Sequence, residues 1–207
     1  LVTKARIEPF IVTLGTMGIF RSLVTWLADG GTLSLDSGLR ALYRPVYFGG
    51  IGWITWPIIV FAIVAVLGEW TMRHTRFGRH VEAIGSNDRV ARYSGIDVNR
   101  VRLLTYVGLG MLVGLAVVLY VPRLGSASGS TGVLWELEAI AAVIIGGTAL
   151  KGGRGRVWGT VVGVLILSLI DNILNLADLV SPYLNGAIQG VIIVLAVVLQ
   201  REKRAAE

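Results

Sequence analysis

Residues 103–122 read LLTYVGLGMLVGLAVVLYVP, twenty positions in a row without Asp, Glu, Lys or Arg. A helix rising 1.5 Å per residue makes such a run about 30 Å long, the thickness of a bilayer's hydrocarbon core. Two further stretches, 45–68 and 179–200, are equally free of charge. Over all 207 residues, 54% are hydrophobic and 15% charged, with a mean hydropathy of +0.72. A soluble domain carries about 25% charged residues. Buried helices of a soluble core are also apolar, but they are shorter, and a chain of this size cannot wrap several of them. The solvent this sequence is built for is lipid.

Working outward from that run, the pattern predicts an all-α, polytopic membrane helical bundle of about six spans: 9–27, 53–70, 103–121, 134–150, 157–176 and 184–200. The fourth is irregular, because Glu136 and Glu138 leave only 139–150 uncharged and Gly146-Gly147 interrupts it. A discontinuous or re-entrant helix lining a polar cavity suits it better than a plain span. Gly110/Gly114, Gly159/Gly163 and Gly186/Gly190 are Gly-xxx-Gly pairs that let helix backbones approach closely. The external stretch 125–132, GSASGSTG, reads as a flexible loop. The longest loop has 32 residues, so 1–207 reads as a single transmembrane domain. Its first residue is not Met and a span begins by Pro9, which leads us to expect further spans upstream.

Charge orients the bundle. The loop 71–102 holds seven arginines, Arg73, Arg76, Arg79, Arg89, Arg92, Arg100 and Arg102, and belongs on the cytoplasmic side. Alternating spans then bring Lys4, Arg6, Lys151, Arg154, Arg156, Arg201, Lys203 and Arg204 to the same side, fifteen of the nineteen basic residues, with both ends inside. The outside loops hold only Arg40, Arg44 and Arg123, and Arg21 lies within a span. The net charge of +6 therefore reports topology rather than nucleic-acid binding. Trp26, Trp53, Trp56, Trp70, Trp135 and Trp158 all stand at span ends. They read as an aromatic belt at the headgroups, in preference to stacking platforms for a sugar ring.

Catalytic signatures are absent: there is no nucleotide-binding G-x-x-x-x-G-K-[ST], no H-E-x-x-H and no G-x-S-x-G. The chain has no cysteine and only His74 and His80, so no metal site is read. It is not expected to be an enzyme. The turn Gly152-Gly153-Arg154-Gly155-Arg156 opens onto a helix, but without the rest of a nucleotide fingerprint it reads as a tight basic cytoplasmic turn.

Within the basic loop, Ser86-Asn87-Asp88 supplies cap residues and an acidic first turn for a helix over 89–94. Gly95 is placed to end that helix in the left-handed conformation, and Ile96 to pack back on its last turn. Ala91 and Ser94 share one face, as do Val90 and Tyr93. Such a doubly capped helix is either a peg that docks in a partner's groove or an amphipathic helix lying on headgroups.

The run Ala83-Ile84-Gly85-Ser86-Asn87 with Ala91 and Ser94-Gly95-Ile96 resembles the coupling-helix signature of ribose/xylose-type ABC importer permeases. Three more blocks are similar, in order: residues 9–16 (PFIVTLGT), residues 136–143 (ELEAIAAV) with Gly146-Gly147-Thr148, and Gly152-Gly153-Arg154-Gly155. Val90, Glu138 and Lys151 depart from the family's usual residues. The resemblance is to the C-terminal two-thirds of such a permease.

It implies a monosaccharide-translocating subunit of the bacterial inner membrane. Its partners would be a cassette ATPase that holds ATP and Mg, a periplasmic or extracellular sugar-binding protein, and a second permease copy, identical or related; this chain itself would carry no cofactor. It also implies that Gly85, Asn87, Ala91, Ser94, Gly95 and Ile96 form the ATPase-coupling element. Polar groups within spans are costly and mark the candidate translocation pathway: Thr13, Thr16, Glu136, Glu138, Asn172 and Asn175. Asp171 shares a face with Asn175, and Arg21 needs an acidic partner or water, with Glu136 or Glu138 expected. The competing readings are a nucleoside or branched-chain amino acid permease of the same superfamily, an ion-driven secondary transporter, and a membrane scaffold.

Overall fold

In the computed structural model, residues 7–149, 152–177 and 190–191 are described. They divide into two compact units: one runs to Val64 and takes in Asp97–Gly132, and the other comprises Ala65–Ile96 and the residues from Val133 onward. Eight helices and four short strands make up the described elements. Four of the helices are long and apolar enough to cross a membrane: Pro9–Leu27, Trp56–His74, Val98–Leu124 and Val157–Leu174. These are four of the spans read from the sequence, with starts and ends shifted by a few residues. The sixth predicted span, 184–200, lies outside the described residues apart from Gly190 and Val191, which are helical.

The first unit begins with α1 (Pro9–Leu27), which has Pro9 at its first turn where the missing N–H costs nothing. Then come β1 (Thr32–Ser34), α2 (Ser37–Phe48), the tight hairpin β2 (Gly50–Ile51) and β3 (Ile54–Thr55), and the start of α3 (Trp56–His74). The 27-residue α6 (Val98–Leu124) follows later in the chain and ends at Gly125, whose φ of 69° is the left-handed conformation that glycine adopts at little cost.

Directly after that cap, β4 (Ser126–Ser128) pairs antiparallel with β1, so that Leu33 lies opposite Ala127. Within the stretch 125–132 that reads as a flexible loop, residues 126–128 therefore form a strand. Beyond it the Thr131 hydroxyl and backbone close a turn on Ser128. Pairing with β1 fixes a Gly/Ser-rich segment whose own β-propensity is low. It also holds together the two loops that the charge count assigns to the outside.

The sequence between the first two spans reads as loop, yet Ser37–Phe48 within it is the helix α2. Asp36 caps it, its carboxylate accepting from Gly38 N at 3.3 Å. It packs on α6, where Arg123 lies over the Tyr47 ring with 5.8 Å to the centroid.

The second unit contains the end of α3, α4 (Arg76–Ser86), α5 (Asp88–Tyr93), α7 (Trp135–Ile145) and α8 (Val157–Ala177). The 11 residues of α7 make a helix about 16 Å long, half of what a crossing needs. The irregular fourth segment is thus a half-helix, in keeping with the discontinuous reading.

It ends in a Schellman motif at Gly146. Gly147 takes φ 83°, Thr148 N donates to Val143 O at 3.1 Å, and Gly147 N donates to Ile144 O at 2.9 Å. The chain then turns back into α8. A Cβ built on Gly159 would overlap the Gly146 carbonyl, and one on Gly163 would overlap that of Ala142. As one index rises the other falls, so α7 and α8 are an antiparallel hairpin in backbone contact. Ala141 and Ala142 are accordingly buried, at 0% and 2% exposed.

Of the three Gly-xxx-Gly pairs, then, Gly159/Gly163 forms a helix contact within the chain. Gly110/Gly114 meets open space, and Gly186/Gly190 falls mostly outside the described residues. Large apolar side chains along α1, α3 and α6 are widely exposed, as helices whose solvent is lipid present them. All six tryptophans are exposed too. Trp56 and Trp135 open their helices and Trp26 stands one residue from the end of α1.

Candidate functional site

The basic loop carries two helices where one was read. Thr75 caps α4, its hydroxyl accepting from Gly78 N at 3.2 Å. One residue past the end of α4, Asn87 caps α5: its Oδ1 accepts from Arg89 N at 3.0 Å and from Val90 N at 3.2 Å. Asp88 in the first turn pairs with Arg92, Nε to Oδ2 3.4 Å, and complements the helix dipole. At the other end Gly95 has φ 79°. Gly95 N donates to Arg92 O at 3.0 Å and Ile96 N to Ala91 O at 3.1 Å, a complete Schellman motif. The Ser94 hydroxyl returns to Val90 O at 3.0 Å.

With both ends closed, six residues hold a helix too short to stand by propensity alone. Its faces are unequal. Ala91 is 3% exposed and turned inward, whereas Val90 and Tyr93 are 57% and 90% exposed. The short helix thus presents an apolar knob of two side chains.

Gly85, just before the Asn87 cap, touches the Gly152-Gly153 turn backbone to backbone. A Cβ on Gly85 would come within 2.6 Å of Gly153 N, and one on Gly152 within 2.8 Å of Gly85 O. Gly152 and Gly153 both hold positive φ, 86° and 84°. The turn read as merely basic is therefore a contact surface for α4.

Behind this turn, the sequence before α8 offers no side-chain acceptor, since residues 152–156 are glycine and arginine only. The cap comes instead from Glu69 near the end of α3. Its Oε2 accepts from Val157 N at 3.0 Å and Trp158 N at 3.4 Å, and its Oε1 pairs with Arg73. At 8% exposure, Glu69 is the buried charged residue of the described chain. Its only signals in the sequence are a lone carboxylate four residues before an arginine and a helix start that lacks a cap.

The pathway candidates are distributed over both units. Thr13 and Thr16 in α1 bond back to carbonyls of their own helix, Thr13 to Pro9 O at 3.0 Å and Thr16 to Val12 O at 2.9 Å. Glu136 and Glu138 occupy the first turn of α7, where the helix dipole favours them. Just before them Leu134 has φ 71°, a left-handed conformation that is strained for a leucine. Asn172 is exposed on α8, and the side chain of Asn175 lies outside the description. Among the described residues Arg21 makes no ion pair. It lines a cleft of about 590 Å³ with Ser22, Thr25, Trp26, Asp29 and Gly30.

At the paired loops, Arg40, Arg44 and Arg123 converge on one cleft of about 430 Å³. No carboxylate among the described residues pairs with them; Arg44 lies over the Phe48 ring at 5.7 Å.

Residues 1–197 match the family described as the branched-chain amino acid transport system permease component. The chain is 41% identical over 207 residues to the ribose import permease protein of Bacillus subtilis (strain 168), covering 99% of this chain and 63% of that one. It is 37% identical to the ribose import permease protein of Escherichia coli (strain K12), covering 99% and 64%. To the xylose transport system permease protein of Haemophilus influenzae it is 40% identical over 171 residues, covering 80% and 45%. The chain thus spans less than two thirds of the length of these relatives. No solved structure matches.

Proposed function

Because this chain belongs to the branched-chain amino acid transport system permease component family, we propose that it is the membrane-spanning subunit of a bacterial ABC importer for a monosaccharide. The observation that carries this reading is similarity along 99% of the chain to permeases named for ribose, and along 80% of it to one named for xylose, joined to the doubly capped α5. The family's description covers amino acid systems, but the relatives' names favour a sugar.

In this reading 1–207 is one transmembrane domain of the inner membrane with both ends cytoplasmic, and 71–102 is its coupling loop. Val90 and Tyr93 seat in a groove of the partner ATPase. Gly85, Asn87, Ala91, Ser94, Gly95 and Ile96 give the peg its shape, Ala91 from the inside. ATP and Mg are held by the ATPase, and this chain supplies bistable packing that turns ATPase closure into alternating access. Thr13, Thr16, Glu136, Glu138, Asn172 and Asn175 contribute to the translocation pathway, with a second permease copy across it. On the outer face, the cleft of Arg40, Arg44 and Arg123 suits acidic side chains of a sugar-binding protein, since arginine forks pair with carboxylates.

The test is uptake of radiolabelled ribose and xylose into vesicles that hold the full-length permease with its ATPase and binding protein. Uptake should require ATP inside the compartment the ATPase faces and should survive collapse of ion gradients. Uptake that follows a proton or sodium gradient without ATP would overturn the reading.

A further inference from the structure

Three observations in the second unit bear on one end of the α7–α8 hairpin. First, α8 starts after Gly155-Arg156, so its leading N–H groups have no local acceptor. Second, the Glu69 carboxylate reaches them from α3: Oε2 takes Val157 N at 3.0 Å and Trp158 N at 3.4 Å, while Oε1 takes Arg73. Third, the turn that feeds α8 rests on Gly85, and a Cβ on Gly153 would come within 3.1 Å of Ser86 Cα. Ser86 is the last residue of α4, and Asn87, the cap of α5, follows it.

The hairpin is therefore held twice at the same end. The Gly85 contact gives steric registry, which transmits a push but resists a pull only weakly. The Glu69 bonds supply the pull through α3, which turns into α4 at the Thr75 cap, where a Cβ on Gly78 would overlap the Met72 carbonyl. A buried carboxylate on a helix N-terminus is charge-assisted and directional, and releasing it strands a buried charge and leaves two half-buried donors without their acceptor. From this we infer that Glu69 is the positioning residue that makes the α7–α8 hairpin follow α5, so that the half-helix bearing Glu136 and Glu138 is the element that moves. This rests on the importer reading above and names which part of the permease the coupling stroke reaches.

Arg73 tunes the link rather than making it. It is 59% exposed at the side chain, whereas Glu69 is 10%. Without Arg73, Glu69 keeps its bonds to α8.

The test uses the complete importer in vesicles and reads sugar moved per ATP hydrolysed. Glu69→Ala should lower that ratio about tenfold while the ATPase stays bound and active, because α5 and both its caps are untouched. Glu69→Gln keeps an oxygen for Val157 N but gives up the charge, and should fall in between. An unchanged ratio in both variants overturns the proposal. Should Glu69→Ala fail to assemble, Glu69→Gln decides alone by the same ratio.

A purely structural cap would reduce the amount of complex and leave the ratio of each assembled complex intact. Since this chain has no cysteine, spin labels at Arg89→Cys and Arg154→Cys give a second readout. Their distance should stay constant between nucleotide states in the otherwise unaltered protein and broaden in Glu69→Gln. A distance that changes with nucleotide in the unaltered protein would contradict joint motion. If the unaltered importer shows no ATP-driven uptake, the importer reading fails; if it transports and the Glu69 variants match it, only the present inference fails.

Discussion

Gly146 and Gly159 meet so closely that a side chain on either would occupy the backbone of the other. Helices in lipid gain little from apolar burial against one another, so association depends on such close approach. The half-helix α7, too short to anchor itself across a membrane, is held by this contact and the matching one between Ala142 and Gly163.

Enlarging the contact should therefore break the hairpin. Gly159→Leu is expected to cost about 1–3 kcal/mol through overpacking. Gly110→Leu, on a glycine with open space around it, should leave the chain's own stability nearly unchanged. Thermal unfolding of the two variants in the same detergent checks this. Equal loss in both would show that the close approach is not what holds α7.

The caps of α5 make a graded prediction. Gly95 has φ 79° with nothing within 4 Å of a built Cβ, so only conformation opposes a side chain there. Gly95→Val should cost about 1–2 kcal/mol and loosen the ATPase, whereas Gly95→Asn should be tolerated. Loss of the Asn87 cap in Asn87→Ala should cost about 1 kcal/mol. Retention of the ATPase through purification, measured for the three, should rank Asn above the other two.

Orientation has its own test. Single cysteines at Arg40 and Arg89 lie on opposite sides in the proposed topology, and the chain offers no background thiol. In intact cells stripped of the outer membrane, a membrane-impermeant maleimide should label Arg40→Cys and spare Arg89→Cys until the membrane is opened. The reverse pattern would invert the topology.

What was legible in the sequence follows from range. The long spans show because some twenty apolar residues without charge have few physical explanations, and α5 shows because its caps, Asn87 and Gly95, are local. The half-helix was legible as an irregularity, from Glu136, Glu138 and Gly146-Gly147 in one segment. By contrast α2 was hidden by its arginines and by Pro45, which mimic a loop. The strand at 126–128 depends on a partner some ninety residues earlier, and Ser-Ala-Ser carries no β signal of its own. Glu69 was missed for the same reason, since its meaning lies 88 residues away at Val157. Local chemistry can be read along a chain; a cap borrowed from another helix cannot.

The central claim is that α5 contacts the ATPase through Val90 and Tyr93, and photocrosslinking tests it most directly. With benzoylphenylalanine in place of Tyr93 in the assembled importer, irradiation should join the permease to the ATPase subunit. The same probe in place of Tyr47, on the opposite face in the proposed topology, should give no such adduct. Absence of an ATPase adduct from position 93, or an equal yield from position 47, would contradict it.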